Sequence, residues 1–244
     1  MKRVLLTISY DGTAYHGWQI QPNGITVQEV MCASAEKILG KKTAVIGCSR
    51  TDAGVHANNF CCHLDCDDNI PETAFLKGFN SVLPNDIVVK ACRQVENDFH
   101  ARYSSKGKEY VYRMFLQSDI NPFYLRYAVP VKKEIDLKRI ELFCKSIKGV
   151  HDFLPFSSSG RTVEDTVRTV YSCEIKKEGD FYNLYISANG FLYNMVRIIA
   201  GTVMEISSGR LDENCAEQIF KTGKREFAGK TASPQGLFLN KVFY

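Results

Sequence analysis

The feature that most limits the fold is an order of segments that runs through the chain twice. Residues 2–10, "KRVLLTISY", have the apolar, alternating character of a strand. "VQEVMCASAEKILG" carries apolar residues three and four apart, opens after Thr26 and ends in Gly40, which predicts a capped helix. "TAVIGCSR" and "NNFCCHLD" predict two strands around a tight loop. Pro71 stands at a helix start, "ETAFLKGFNSVL" continues it to the Pro84-Asn85 break, and "DIVVKACRQV" reads as a strand. The second half repeats the order more loosely. "KEYVYRMFL" at 108–116 is a strand and "DLKRIELFCKSIKG" a helix; "TVRTVYSCEIKK" and "DFYNLYISAN" form a hairpin around Gly179. "FLYNMVRIIAGTVMEISSG" is a strongly apolar helix, and "GLFLNKVFY" is a closing strand. Two split β-α-β units in tandem predict an α+β fold. The expectation is two ferredoxin-like halves, residues 1–104 and 105–244, sharing an extended antiparallel sheet, with a cleft between them as the natural place for a site.

Bulk properties exclude several classes. The chain has 244 residues, enough for a proper core, and its 45% hydrophobic and 24% charged content is that of an ordinary globular protein. A net charge of +4 permits an acidic partner without demanding one. No apolar run is long enough to cross a bilayer. "MKRVLLTISYDG" has a basic start and a short apolar run but no small-residue cleavage site, so it reads as a first strand. Nine scattered cysteines, an odd number, fit reduced thiols in a cytoplasm. "CCHLDC" at 61–66 is a poor metal site, because strand alternation sends Cys62, Leu64 and Cys66 to one face and Cys61 and His63 to the other. "FAGKTA" fails as a phosphate loop, since the position five before Gly229 is Lys224. With no dinucleotide fingerprint or nucleophile elbow either, no cofactor or metal is expected.

Three positions stand out against this background. In "CSRTDAGVHA", Asp52 sits on the tight loop between two buried-looking strands, flanked by Arg50 and His56. The residues Thr51 to Gly54 also suit an ordinary turn. An Asp held at a strand–loop junction near a cation stays ionised and aimed, as a nucleophile or general base requires. Arg197 lies in an otherwise apolar helix, on a stripe with Tyr193, Asn194, Ala200 and Gly201. An Arg there either reaches out to solvent or holds a carboxylate, and Asp52 is the candidate partner. Tyr110 and Tyr112 share a strand face; they suit packing, or stacking on a nucleobase at a cleft. Arg102 with Lys106, Lys108 and Arg113, and Arg161 with Arg168 beside the Ser-rich "SSSGR", could meet phosphates.

"SRTDAGVHA", "FHARYSSKGKEYVYR", "GFLYNMVRIIAGTVMEISSG", "TASPQGLFLNKVFY" and "YDGTAYHGWQIQPNGITVQEV" together resemble the TruA-type tRNA pseudouridine synthases, in the same order and from the first strand to the last residue. The resemblance implies a cytoplasmic, cofactor-free isomerase that converts uridines of the tRNA anticodon stem–loop (positions 38–40) to pseudouridine, acting as a homodimer away from membranes. It implies Asp52 as the catalytic aspartate, Arg197 as its basic partner and Tyr110 as the tyrosine stacked on the target base. Arg50, His56, Arg102, Arg161 and Arg168 are the expected RNA contacts. A non-catalytic RNA-binding protein on the same scaffold would keep the basic groove and Tyr110 without needing Asp52 beside Arg197. A nucleoside hydrolase would want a second carboxylate, and Asp65 and Asp67 lie at or beyond the far end of the next strand. An assembly protein leaves the helical Arg unexplained.

Overall fold

The structure, a computed structural model, describes residues 1–67, 70–160 and 163–244. Contacts divide the chain into two units, residues 1–106 with 238–244, and residues 107–237. The closing strand therefore counts with the first unit, although residues 105–244 are expected from sequence to form one half.

In the first unit β1 (Lys2–Tyr10), α1 (Val27–Leu39), β2 (Ile46–Gly47), β3 (His56–Cys66), α2 (Glu72–Val82) and β4 (Ile87–Val95) follow the anticipated order. Strands lie β4-β1-β3, with β2 also on β3, all antiparallel. Register puts Val4, Leu6 and Ile8 opposite Leu64, Cys62 and Phe60. These six, with Met31 and Ala35 of α1 and Phe75 and Phe79 of α2, are almost wholly buried and form the core. Thr26 caps α1 by accepting the Glu29 N–H, and Gly40 ends it at φ +68. The expected strand "TAVIGCSR" shrinks to two residues. Gly47 lies under the Trp18 indole, where a Cβ would come within 2.5 Å, and the chain then leaves the sheet for the 48–55 loop. The closing strand β10 (Leu237–Phe243) runs parallel to β3 at His56 and Ala57, while β2 takes the other end of that edge at Cys62 and His63.

In the second unit β5 (Gly107–Leu116), β9 (Phe181–Ala188) and β8 (Val167–Glu178) are neighbours in that order, antiparallel, with the β8–β9 turn at Gly179, φ +59. Two short strands escape the sequence pattern: β6 (Val129–Val131) beside β5, and β7 (Gly149–Asp152) beside β8. Each is too short to show a period. Helices α3 (Leu137–Ser146), α4 (Met195–Ser208) and α5 (Cys215–Thr222) complete the unit. Both units are α+β. Helix α4 starts four residues later than the apolar run suggests, because Asn194 takes φ +62 and a left-handed residue cannot continue a right-handed helix. Ile198, Ile199, Val203 and Ile206 of α4 are fully buried.

All nine cysteines are free thiols. Burial pushes Cys62 and Cys173 well above the ordinary thiol range, so these two behave as small apolar core residues. No described helix is long and apolar enough to cross a membrane.

Candidate active site

In the first unit, Asp52 rides on a loop clasped by the "DGTAYHGW" segment. The Trp18 N–H donates to the Thr51 carbonyl at 3.1 Å, and the Gly54 N–H to the Tyr15 carbonyl at 3.2 Å. The Thr51 hydroxyl meets the Tyr10 hydroxyl at 2.8 Å, and the Val55 N–H closes the turn onto the Asp52 carbonyl at 3.1 Å. Two glycines make the approach possible. A Cβ on Gly17 would stand 2.3 Å from the Thr51 oxygen, and one on Gly12 would stand 2.0 Å from the Val55 oxygen. The segment is anchored in turn by Trp18, 2% exposed and stacked on Phe60 at 4.2 Å, and by the Tyr15 hydroxyl, which donates to Asp86 at 2.6 Å. Asp52 is half-buried on the rigid turn that results, and Arg50 is exposed on the same loop.

His56 departs from its expected role as an RNA contact. It is 1% exposed, its Nδ1 accepts the Gly12 N–H at 3.0 Å with Asp11 Oδ1 3.1 Å away, and its ring stacks on Phe238 at 4.6 Å. The ring braces the clasp from within and offers no surface to a ligand. Arg102 is exposed, its guanidinium 5.7 Å from the centre of the Tyr103 ring.

In the second unit, Tyr110 and Tyr112 share one face of β5, as alternation requires. Tyr110 is 6% exposed and its ring stands nearly perpendicular to that of Phe191, with centroids 5.0 Å apart at 82°. Tyr112 is fully buried and donates its hydroxyl to the Ser233 carbonyl at 2.8 Å. Burial raises its pKa, and the nearby Arg197 charge opposes that rise. Arg197 is half-buried at the start of α4. Its Nε donates to the Ala232 carbonyl at 2.8 Å, and its Nη1 to Asn194 Oδ1 at 2.7 Å. The Gly190–Asn194 turn thus reaches both Tyr110, through Phe191, and Arg197, through Asn194. The 229–233 strap lies flush on α4, since a Cβ on Gly201 would stand 1.7 Å from the Lys230 oxygen, and the Gly229 N–H donates to the Thr202 hydroxyl at 2.9 Å. The "GKT" that imitates a phosphate loop is part of this strap. Arg168 lies along the chain, donating to the Val167 carbonyl and covering Gly190. Arg161 lies outside the described residues. Ala232, Ser233, Gly12 and Gly17 are absent from the expected set, although the Gly-rich "YDGTAYHGW" and the small-residue "TASPQG" carry their trace; Asn194 and Gly201 stand on the expected stripe with Arg197 but without a role of their own.

The first unit thus carries the Asp52 carboxylate on a clasped turn, and the second carries the Arg197 guanidinium, fixed at two of its nitrogens near the buried Tyr112. The family described as tRNA pseudouridine synthase matches residues 6–104 and 143–244. Asp52 and Arg197 lie inside the matched stretches, and Tyr110 falls between them. This is an RNA-modifying isomerase. The chain belongs to the tRNA pseudouridine synthase family, whose members isomerise uridines of tRNA. It is 44% identical over 245 residues to tRNA pseudouridine synthase A of Ruminiclostridium cellulolyticum, covering 100% of both chains. It is 42% identical over 244 residues to tRNA pseudouridine synthase A of Thermoanaerobacter sp. strain X514, and 40% identical over 244 to tRNA pseudouridine synthase A 2 of Clostridium perfringens, again covering 100% of each chain.

Proposed function

We propose that this chain converts uridines of the tRNA anticodon stem–loop to pseudouridine in the cytoplasm, as a homodimer, with Asp52 as nucleophile. The reaction breaks the bond from ribose to the base nitrogen, turns the base and closes a carbon–carbon bond in its place; the ring carbon gives up its proton and the freed nitrogen takes one, so no redox partner or group donor is needed. In this reading Asp52 opens the glycosidic bond. Arg197 is the basic partner of Asp52, keeping the carboxylate ionised and directed. Tyr110 stacks on the extruded uracil, offsetting part of the cost of unstacking it. Arg50, Arg102, Arg161 and Arg168 meet RNA phosphates.

The single observation that carries the reading is the clasp on the Asp52 turn. Two glycines in van der Waals contact with loop carbonyls and two inter-loop backbone hydrogen bonds hold that turn far more firmly than a solvated connection needs. Pre-organisation of this kind serves a group that reacts. The test is Asp52→Asn with unmodified tRNA. Turnover should vanish while tRNA binding stays near that of the native protein, and retained conversion would remove Asp52 from the role. Mapping the converted uridines in the same tRNA tests the target window, and sedimentation of the free protein tests the dimer.

A further inference from the structure

Asn194 is the sole described residue other than glycine with positive φ. Glycine would adopt that conformation at less cost, so what an asparagine adds there is its side chain. The side chain does not do what an asparagine at a helix start ordinarily does. It makes no capping bond to the first turn of α4, and only the Asn194 carbonyl joins the helix, accepting the Ile198 N–H at 2.9 Å. Instead the carboxamide bridges two other groups. Oδ1 accepts from Arg197 Nη1 at 2.7 Å, and Nδ2 donates to the Ser158 hydroxyl at 3.0 Å.

The direction of this bridge is chemically forced. A guanidinium only donates, so it must meet the amide oxygen, which turns the amide nitrogen toward Ser158. The backbone repeats the link, with the Ser158 N–H donating to the Tyr193 carbonyl at 3.2 Å. An aspartate would satisfy Arg197 but could not donate to Ser158, and it would neutralise the charge that another carboxylate is meant to feel. Asparagine aims the guanidinium and leaves its charge intact.

We infer that Asn194 is a positioning residue for the isomerisation: anchored by Ser158, it sets the direction in which Arg197 presents its guanidinium. The inference rests on the catalytic use of Arg197 proposed above. It also gives the Ser-rich 157–160 loop a role as the outer anchor of the relay.

Asn194→Gly tests it cleanly, because glycine keeps the left-handed turn while deleting the bridge. With full-length protein and unmodified tRNA, kcat should fall about tenfold, the worth of one charge-assisted hydrogen bond. KM should stay within about twofold and Tm should hold, since glycine suits this backbone. Ser158→Ala should lower kcat in the same direction by less. A kcat within about twofold of the native enzyme in Asn194→Gly overturns the inference. Should Asn194→Gly instead melt early, Ser158→Ala decides, and an unchanged kcat there overturns it. Arg197→Ala separates the two proposals. If that variant turns over normally, the catalytic reading of Arg197 fails; if it is crippled while Asn194→Gly is not, only the relay fails.

Discussion

Arg197 and Ala232 hold each other twice. The Ala232 N–H donates to the Arg197 carbonyl at 3.0 Å, and Arg197 Nε donates back to the Ala232 carbonyl at 2.8 Å. The strap that carries Ala232 can reach the helix only because neither surface has a side chain at the crossing: Gly201 faces the Lys230 carbonyl and Gly229 faces the Thr202 backbone. Gly201→Ala must push the strap outward by more than an ångström, since its Cβ would fall 1.7 Å from a backbone oxygen that cannot rotate away. We expect a loss of about 3 kcal/mol, the upper range for overpacking, and a disproportionate loss of turnover as Nε loses its acceptor. Chemical denaturation and tRNA turnover on the same sample check it. Stability within error of the native protein would mean the crossing is looser than described.

The clasp on Asp52 makes a parallel prediction with an internal control. Gly17 has φ +82 and lies 2.3 Å, measured from an ideal Cβ, from the Thr51 carbonyl; Gly40 has φ +68 with nothing within 4 Å. Both Gly→Ala changes force alanine into the left-handed region, at about 1 kcal/mol each. Only Gly17→Ala also displaces the turn that bears Asp52. Its kcat should fall about a hundredfold, the scale of a 1 Å misplacement of a reacting group. Gly40→Ala should turn over normally, and equal kcat in the two variants would show that the clasp does not set the geometry of Asp52.

Much of this was legible in the sequence because period and composition carry it. The strand and helix order, the capped α1, the Gly179 hairpin and the placing of Tyr110 with Tyr112 on one face follow from alternation and turn chemistry. Helix α4 began later than its apolar run because left-handed Asn194 interrupts it, a conformation that an asparagine code permits without announcing. His56 looked like a ligand contact because a charged-capable residue beside Asp52 invites that reading, but whether a ring faces inward depends on Phe238, 182 positions away in a strand whose pairing the local sequence does not contain. The strap over α4 was invisible for the same reason: small residues say that something passes closely and never what.

Tyr112 and Tyr110 should separate cleanly on mutation to phenylalanine. Tyr112 is fully buried, and its hydroxyl supplies a hydrogen bond to the Ser233 carbonyl next to Ala232. Tyr112→Phe leaves that carbonyl short of a donor and should cost about 1–2 kcal/mol of stability. Tyr110→Phe keeps the ring that meets Phe191 and should stay near native turnover if stacking is its contribution. A stability loss confined to Tyr110→Phe would reverse the assignment of structural and functional tyrosine.

Acid should weaken the first unit through His63. This ring is 2% exposed, and its Nδ1 accepts the Ala101 N–H at 3.1 Å, a bond that only the unprotonated nitrogen can make. Burial chiefly, then the charges of Arg3 and His100, lower its pKa from 6.5 to about 4, with Asp65 opposing. Between those two values the unfolded chain binds a proton that the native protein refuses. Stability therefore rises with pH across that window and falls as pH drops from 6.5 toward 4, by on the order of 3 kcal/mol in the limit. The neighbouring Asp65, held below the ordinary carboxylate range by its hydrogen bonds to Arg3, loses its own contribution only at the acid end of the window and below. His63→Gln still offers an oxygen to the Ala101 N–H but does not titrate. Its stability, measured by urea unfolding at intervals from pH 7 to pH 4, should be flatter than that of the native protein by up to about 1.4 kcal/mol per pH unit. Parallel curves for the two proteins would place the acid sensitivity elsewhere.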